Sequence, residues 1–165
     1  GEALFNVAKQ PNVPFVVKTG DVVTTVLGTS FSVRAYATDS SMRIAVAEGK
    51  VSVKNRKGDA ILTNGDFVFT TAGTPLSVKH DAEYVANLLR FTQGTLVLDI
   101  QSLGAAAPQL ERWFDLDITV DPSVASRTLW VTLQDESTTE SLDMIASITA
   151  TRYVRSGRSV RFMER

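Results

Sequence analysis

Apolar and polar positions alternate in short runs through the first half of the chain. Phe31, Val33 and Ala35 alternate with Ser32, Arg34 and Tyr36, and Met42, Ile44 and Val46 alternate with Arg43 and Ala45, the period of half-buried strands. Segments 15–17, 31–37, 42–47, 50–54 and 66–70 are short and rich in β-branched or aromatic residues, so each is predicted to be a strand. Turns with a physical basis stand between them. Asp39-Ser40-Ser41, Glu48-Gly49, residues 55–59 and Asn64-Gly65 supply residues that accept positive φ or short polar side chains that bond nearby backbone. Strands and turns in this rhythm predict a sandwich, a small barrel or a short β-solenoid, and periodicity does not choose among the three.

From Asp81 the period becomes helical. Residues 81–90, with Asp81 as N-cap and Tyr84 or Val85, Leu88 and Leu89 on one stripe, predict a short connecting helix. After Gly94 the pattern predicts a strand at 95–100, a helix at 102–114 and strands at 116–120 and 128–134. A helix at 137–149, opened by a Ser137/Glu140 capping box, and a hairpin about Ser156-Gly157 complete the order. That is a small α+β unit, βαβ-βαββ, with both helices on one face of a sheet. Leu103, Ala106, Leu110 and Trp113 form the buried stripe of its first helix, and Leu142, Ile145 and Ala146 that of its second. Pro108 predicts a kink, because its ring crowds the Gly104 carbonyl. The domain reading is an all-β domain at 1–80, a helical linker at 81–93 and an α+β domain at 94–165.

Composition narrows the function more than the fold. The 165 residues are 44% hydrophobic and 21% charged, enough to bury a core, and a formal net charge of -1 offers no global attraction to nucleic acid or anionic lipid. The absence of cysteine excludes disulfides, thiolate metal sites and a cysteine nucleophile. His80, the only histidine, has no second imidazole to join it in a zinc site. No apolar run approaches the roughly 18 residues of a membrane span, and the start at Gly1 reads as a piece of a longer chain.

Candidate chemistry is sparse. Asp115, Asp117 and Asp121 cluster about a strand whose other face is apolar, so they are expected on solvated surface. No serine in an elbow context accompanies His80, and the glycines form no phosphate loop. No catalytic, cofactor or metal residue is therefore assigned, and the chain is not expected to be an enzyme. Arg152, Arg155, Arg158, Arg161 and Arg165 make the C-terminal hairpin basic without interleaved aromatic platforms; an acidic protein partner or edge protection is expected rather than nucleic acid.

Trp130 carries more information. Leu129, Val131 and Leu133 share the helix-packed face, which turns Trp130 outward together with Thr128 and Thr132. An outward tryptophan fits either a partner contact or cover for the neighbouring β domain. Thr128, Trp130 and Thr132, with Arg155 and Arg161 of the hairpin, are the candidate partner-binding residues, since the open edges at 127–134 and 152–163 could accept a strand.

Residues 22–53, VVTTVLGTSFSVRAYATDSSMRIAVAEGKVSV, resemble the FecR domain of bacterial iron-siderophore sensor proteins. The carriers are Val26-Leu27-Gly28-Thr29-Ser30-Phe31-Ser32-Val33 and Val46-Ala47-Glu48-Gly49-Lys50-Val51-Ser52-Val53. Residues 91–103, 110–120 and 139–146 are similar to the short N-terminal domain of secretins and TonB-dependent receptors, with Phe91 where that family usually shows tryptophan. The resemblance implies the periplasmic sensor part of a single-pass inner-membrane anti-sigma regulator. Its implied partner is the signalling domain of an outer-membrane TonB-dependent siderophore transducer, and a cytoplasmic region beyond this piece would hold the sigma factor. Direct siderophore binding is not expected, and the piece should be monomeric until its partner is added. The rival reading is a structural periplasmic element of a secretion or envelope assembly; a glycan-active enzyme is a distant third.

Overall fold

The computed structural model describes residues 1–71 and 73–165, which divide into two compact units, Gly1–Leu89 and Arg90–Arg165. In the first unit the described strands are β1 (Glu2–Asn6), β2 (Phe15–Thr19), β3 (Val22–Val26), β4 (Ser30–Arg34), β5 (Met42–Glu48), β6 (Lys50–Asn55), β7 (Gly58–Thr63), β8 (Asp66–Thr70) and β9 (Ser77–His80). They form a five-stranded sheet, β1-β4-β5-β8-β9, and a four-stranded sheet, β2-β3-β6-β7, with every neighbouring pair antiparallel. Strand alternation sends Phe31, Val33, Ile44, Val46 and Val68 from one sheet, and Val22, Val26, Val51, Val53 and Leu62 from the other, into one core. Of the three β architectures open to the sequence, the one built is two sheets facing a shared interior.

Ala45 and Phe67 point the other way from the five-stranded sheet and meet α1 (Ala82–Leu88) through Val85. Asp81 caps this helix by accepting from the Tyr84 N–H at 2.9 Å, and the chain continues as a 3-10 helix, Leu89–Gln93. The same sheet face carries a charged row: Glu2, Arg34 and Arg43 are direct cross-strand neighbours, and the Glu2 carboxylate bridges Arg34 at 2.9 Å and Arg43 at 2.8 Å.

The second unit contains β10 (Thr95–Ser102), α2 (Leu103–Phe114), β11 (Asp117–Val120), β12 (Thr128–Gln134), α3 (Thr138–Ile148), β13 (Thr151–Ser156) and β14 (Ser159–Glu164). Its strands do not join in one sheet. β10 pairs antiparallel with β12, whereas β11 pairs in parallel with β14, which in turn pairs with β13. The turn after β11 explains the split. Asp121 N–H donates to the Phe162 carbonyl, the chain tightens through Val124, and the Ala125 and Arg127 carbonyls take the Gly104 and Leu103 N–H groups at 2.9 and 2.8 Å. The chain thus crosses the first turn of α2, satisfying donors that every helix start leaves free, and delivers β12 beside β10 instead of β11. Ala125 sits so close that a Cβ at Gly104 would lie 3.2 Å from its carbonyl oxygen.

Two expectations are corrected here. The fold class was an all-β domain followed by a small α+β domain of the secretin and TonB-receptor short N-terminal kind. The chain is instead mostly β, 48% strand and 21% helix, and the single sheet with both helices on one face does not form. α2 packs on β10, β12 and β11, and α3 on β12 and β13, so each helix touches both sheets. Trp113, expected in the buried stripe, is only half-buried; Ala107 is buried and Phe114 packs on the core. Ser102 caps α2, and Pro108 lies inside the helix, where it cannot donate to the Gly104 carbonyl. The capping box of α3 forms as the spacing implies, Ser137 N–H donating to Glu140 Oε2 at 2.8 Å.

Candidate functional site

β12 alternates fully: Leu129, Val131 and Leu133 are buried, and Thr128, Trp130, Thr132 and Gln134 are exposed. Trp130 is 66% exposed. Its partner strand breaks register at this point, because Leu98 faces Val131 and Gln101 faces Leu129, leaving Asp99 and Ile100 together opposite Trp130. This is a β-bulge, two residues against one. The Asp99 carboxylate accepts from the Ile100 N–H at 2.8 Å and so satisfies a donor at the irregularity.

The bulge has a consequence for Ile100. Leu96, Leu98 and Ile100 share one parity, so plain alternation would send all three inward. The extra residue turns Ile100 out, to 76% exposure, beside Trp130. Val97, opposite Thr132, lies on the same outer face and is half-exposed. Ile100 and Val97 are the residues that sequence reasoning missed; the polar Asp99 inside an apolar run was the available signal. Among the described residues β10 and β12 each have one strand neighbour, so both edges of this small sheet keep free backbone groups.

The two arginines lie elsewhere. Arg155 on β13 and Arg161 on β14 belong to the three-stranded sheet, so the structure does not place them in one sheet with Trp130. Arg155 Nε donates to the Gly157 carbonyl at 3.1 Å. Arg161 holds Asp121 at 2.6 Å across the parallel pair, and Arg158 holds Asp115 in a two-point contact. Hydrogen bonds that Arg158 donates to Asp115 and Arg161 donates to Asp121 favour the charged guanidinium and raise the pKa of each arginine. Asp115 and Asp117 are therefore exposed and Asp121 half-buried, and all three lie in ion-pair range of the basic hairpin.

His80 Nδ1 lies 2.8 Å from Asp66 Oδ1 at the end of β9, with its ring largely exposed. Asp66 also accepts from the Thr63 N–H and hydroxyl, which makes it the organiser of the β7–β8 turn. Among the described residues no group of three or more His, Cys, Asp or Glu side chains could hold a metal ion, and no helix is long and apolar enough to cross a membrane. What the second unit offers is a sheet face with uncovered apolar side chains and open edges, an arrangement suited to binding another protein.

Comparison with known proteins bears on the family. Residues 1–52 match the family model described as FecR protein, and residues 95–162 match the one described as FecR, C-terminal. The second match assigns the later residues to the FecR family's own C-terminal region in place of the short N-terminal domain of secretins. Two crystal structures of a candidate anti-sigma factor from Parabacteroides distasonis ATCC 8503 are similar over 100% of this chain and 78% of theirs, each at 27% identity and a TM-score of 0.84. Comparison with curated proteins gives no significant match. With both models in chain order, and a structural relative matched along the whole of the given sequence, the chain belongs to the FecR family.

Proposed function

We propose that this chain is the periplasmic sensing part of a sigma-factor regulator and that it docks a protein partner on the outer face of β10 and β12. The sigma-factor role is supported by the family and by the anti-sigma relative. The finer reading names the partner as the N-terminal signalling domain of a TonB-dependent siderophore transducer in the outer membrane. Docking would pass to a cytoplasmic region of the parent protein, through one inner-membrane helix, and change its hold on the sigma factor.

The observation that carries the docking surface is Trp130 beside Ile100 at the bulge, both largely uncovered. Tryptophan in a flat apolar setting is the side chain that most often dominates an interface, and the open edges of β10 and β12 allow main-chain pairing with an incoming strand. Thr128 and Thr132 flank it on the same face. Arg155 and Arg161 stand on the other sheet and would act as secondary, charge-steering contacts.

Calorimetric titration of a transducer signalling domain tests the proposal. Trp130→Ala should weaken binding roughly thirtyfold or more, as expected for an interface hot spot. Ile100→Ala should weaken it less, and Arg161→Glu should act chiefly on the association rate. Unchanged affinity in both Trp130→Ala and Ile100→Ala, with circular dichroism showing both folded, would remove this surface from the mechanism.

A further inference from the structure

The residues that mark the first unit as FecR-like have no part in the docking surface, yet they converge on a pocket of about 550 Å³. Its lining includes Lys9, Leu27, Gly28, Lys50, Ser52 and Ile61, and the volume lies in the usual range for small-molecule sites. The floor is built from a cross-strand row on the outer face of the four-stranded sheet, Thr25 opposite Ser52 and Ser52 opposite Ile61.

The charged end is held by backbone. Gln10 N–H donates to the Leu27 carbonyl at 2.8 Å, and Val7 and Thr29 exchange two backbone bonds, so the loop bearing Lys9 is laid against Gly28. Gly28 has φ 141°, and a Cβ there would fall 2.4 Å from the Lys9 Cα, a contact no side chain permits. At Gly49, φ 90°, an added Cβ would fall 3.0 Å from the Gly28 carbonyl oxygen, and the Thr29 hydroxyl donates to the Lys50 carbonyl at 2.9 Å. The backbone at Lys9 and Lys50 is thus held about the Gly28–Gly49 contact, and both lysines line the pocket. Among the described residues neither lysine pairs with a carboxylate and no Asp or Glu lines the pocket. Leu27 and Ile61, 47% and 51% exposed, supply the apolar walls beyond the charged end.

From this polarity, cationic at one end and apolar at the other, we infer that the pocket binds a small amphipathic organic anion. The head group, a carboxylate or a comparable oxyanion, sits between Lys9 and Lys50. Its aliphatic body lies over Thr25, Ser52 and Ile61 against Leu27. The inference goes beyond the docking surface and does not depend on it, because all of these residues belong to the first unit.

Sodium octanoate is the probe, followed by amide and methyl NMR shifts of the isotope-labelled chain, with octan-1-ol as the neutral analogue of equal length. Saturable shifts are expected at Leu27, Gly28, Gly49 and Ile61. The double variant Lys9→Glu/Lys50→Glu should weaken octanoate binding by roughly tenfold or more, as loss of two exposed ion pairs implies. Octanol should bind the natural chain more weakly than octanoate does. Ser52→Phe, which fills the floor from an exposed face without touching the core, should abolish the shifts. Shifts that are dispersed or fail to saturate at millimolar octanoate, equal affinity in the double variant, or octanoate binding retained by Ser52→Phe would each overturn the inference.

Discussion

Gly1–Leu89 and Arg90–Arg165 both pair arginines with carboxylates, and the pairs differ in how far they are withdrawn from water. In the first unit Glu2, Arg34 and Arg43 form a row with side chains only 12–14% exposed, and Asp39 adds a second carboxylate on Arg34 at 2.8 Å. Burial pulls the Arg43 pKa below its ordinary value, against which Glu2 and Tyr84 act. In the second unit Arg161, paired with Asp121, stands on the outer row of β14, whose inner row is Val160 and Phe162, and Arg158 in the β13–β14 turn pairs with Asp115 at the end of α2. The difference is local: Arg43 lies on the sheet face that α1 meets, beside Tyr84, whereas Arg161 lies on an exposed strand row.

The largest test of this contrast concerns the cores. Phe31 and Phe162 are both fully buried, one in each unit. Truncation of either to alanine should cost about 3–5 kcal/mol. If the units are energetically separate, calorimetry will resolve two transitions, Phe31→Ala lowering only one and Phe162→Ala only the other. A single transition lowered equally by both variants would break the comparison.

Removing one carboxylate comes next. Glu2→Gln leaves Arg43 buried without its main counter-charge and should destabilise the first unit by about 3 kcal/mol in chemical denaturation, the usual consequence of stripping one member of a buried pair. Asp121→Asn strips Arg161, whose guanidinium is open to solvent, and should shift the midpoint of the second unit little. Equal effects from the two variants would show that burial does not separate them.

The smallest effect is acid sensitivity. Burial acts to raise the Asp66 pKa, but the Thr63 N–H, the His80 ring and the Thr63 hydroxyl outweigh it and hold the carboxyl below its ordinary value. A folded-state pKa below the unfolded one favours the fold above the ordinary carboxylate range, and that gain is lost as pH falls through the folded value. Asp66→Asn should therefore flatten the acid limb of the first unit's stability while leaving its neutral-pH shape unchanged. Glu140, held low by the Ser137 hydroxyl and backbone, predicts the same sign for the second unit. Thermal melts of Asp66→Asn and Glu140→Gln through the carboxylate range will sharpen the comparison.

Much of the local structure is legible in the chain. Alternation locates β4, β5, β6 and β12, and glycine turns separate the hairpins at Gly49, Gly65 and Gly157, each at positive φ. The Ser137/Glu140 spacing marks the start of α3, and Trp130 reads as outward from its three buried neighbours. The rest of the candidate site is not legible in the same way. Ile100 reads as a core residue until the bulge reverses it, and Arg161 reads as available until Asp121 takes it from a turn forty residues away. These depend on which strand meets which, and that is decided by contacts distant in sequence.

Hydrophobic period, caps and turn residues alone determined β4, β5, β6, β8 and β12 and the starts of α1 and α3, because those preferences act over a few residues; β1, β3, β7 and β9 carry no such local signal. Tertiary structure alone decided that β12 lies beside β10 and β11 beside β14, since the 121–127 turn closes on the unpaired donors of α2. It also decided that two motif glycines bring Lys9 and Lys50 to one pocket, through backbone approaches that only the folded sheet enforces.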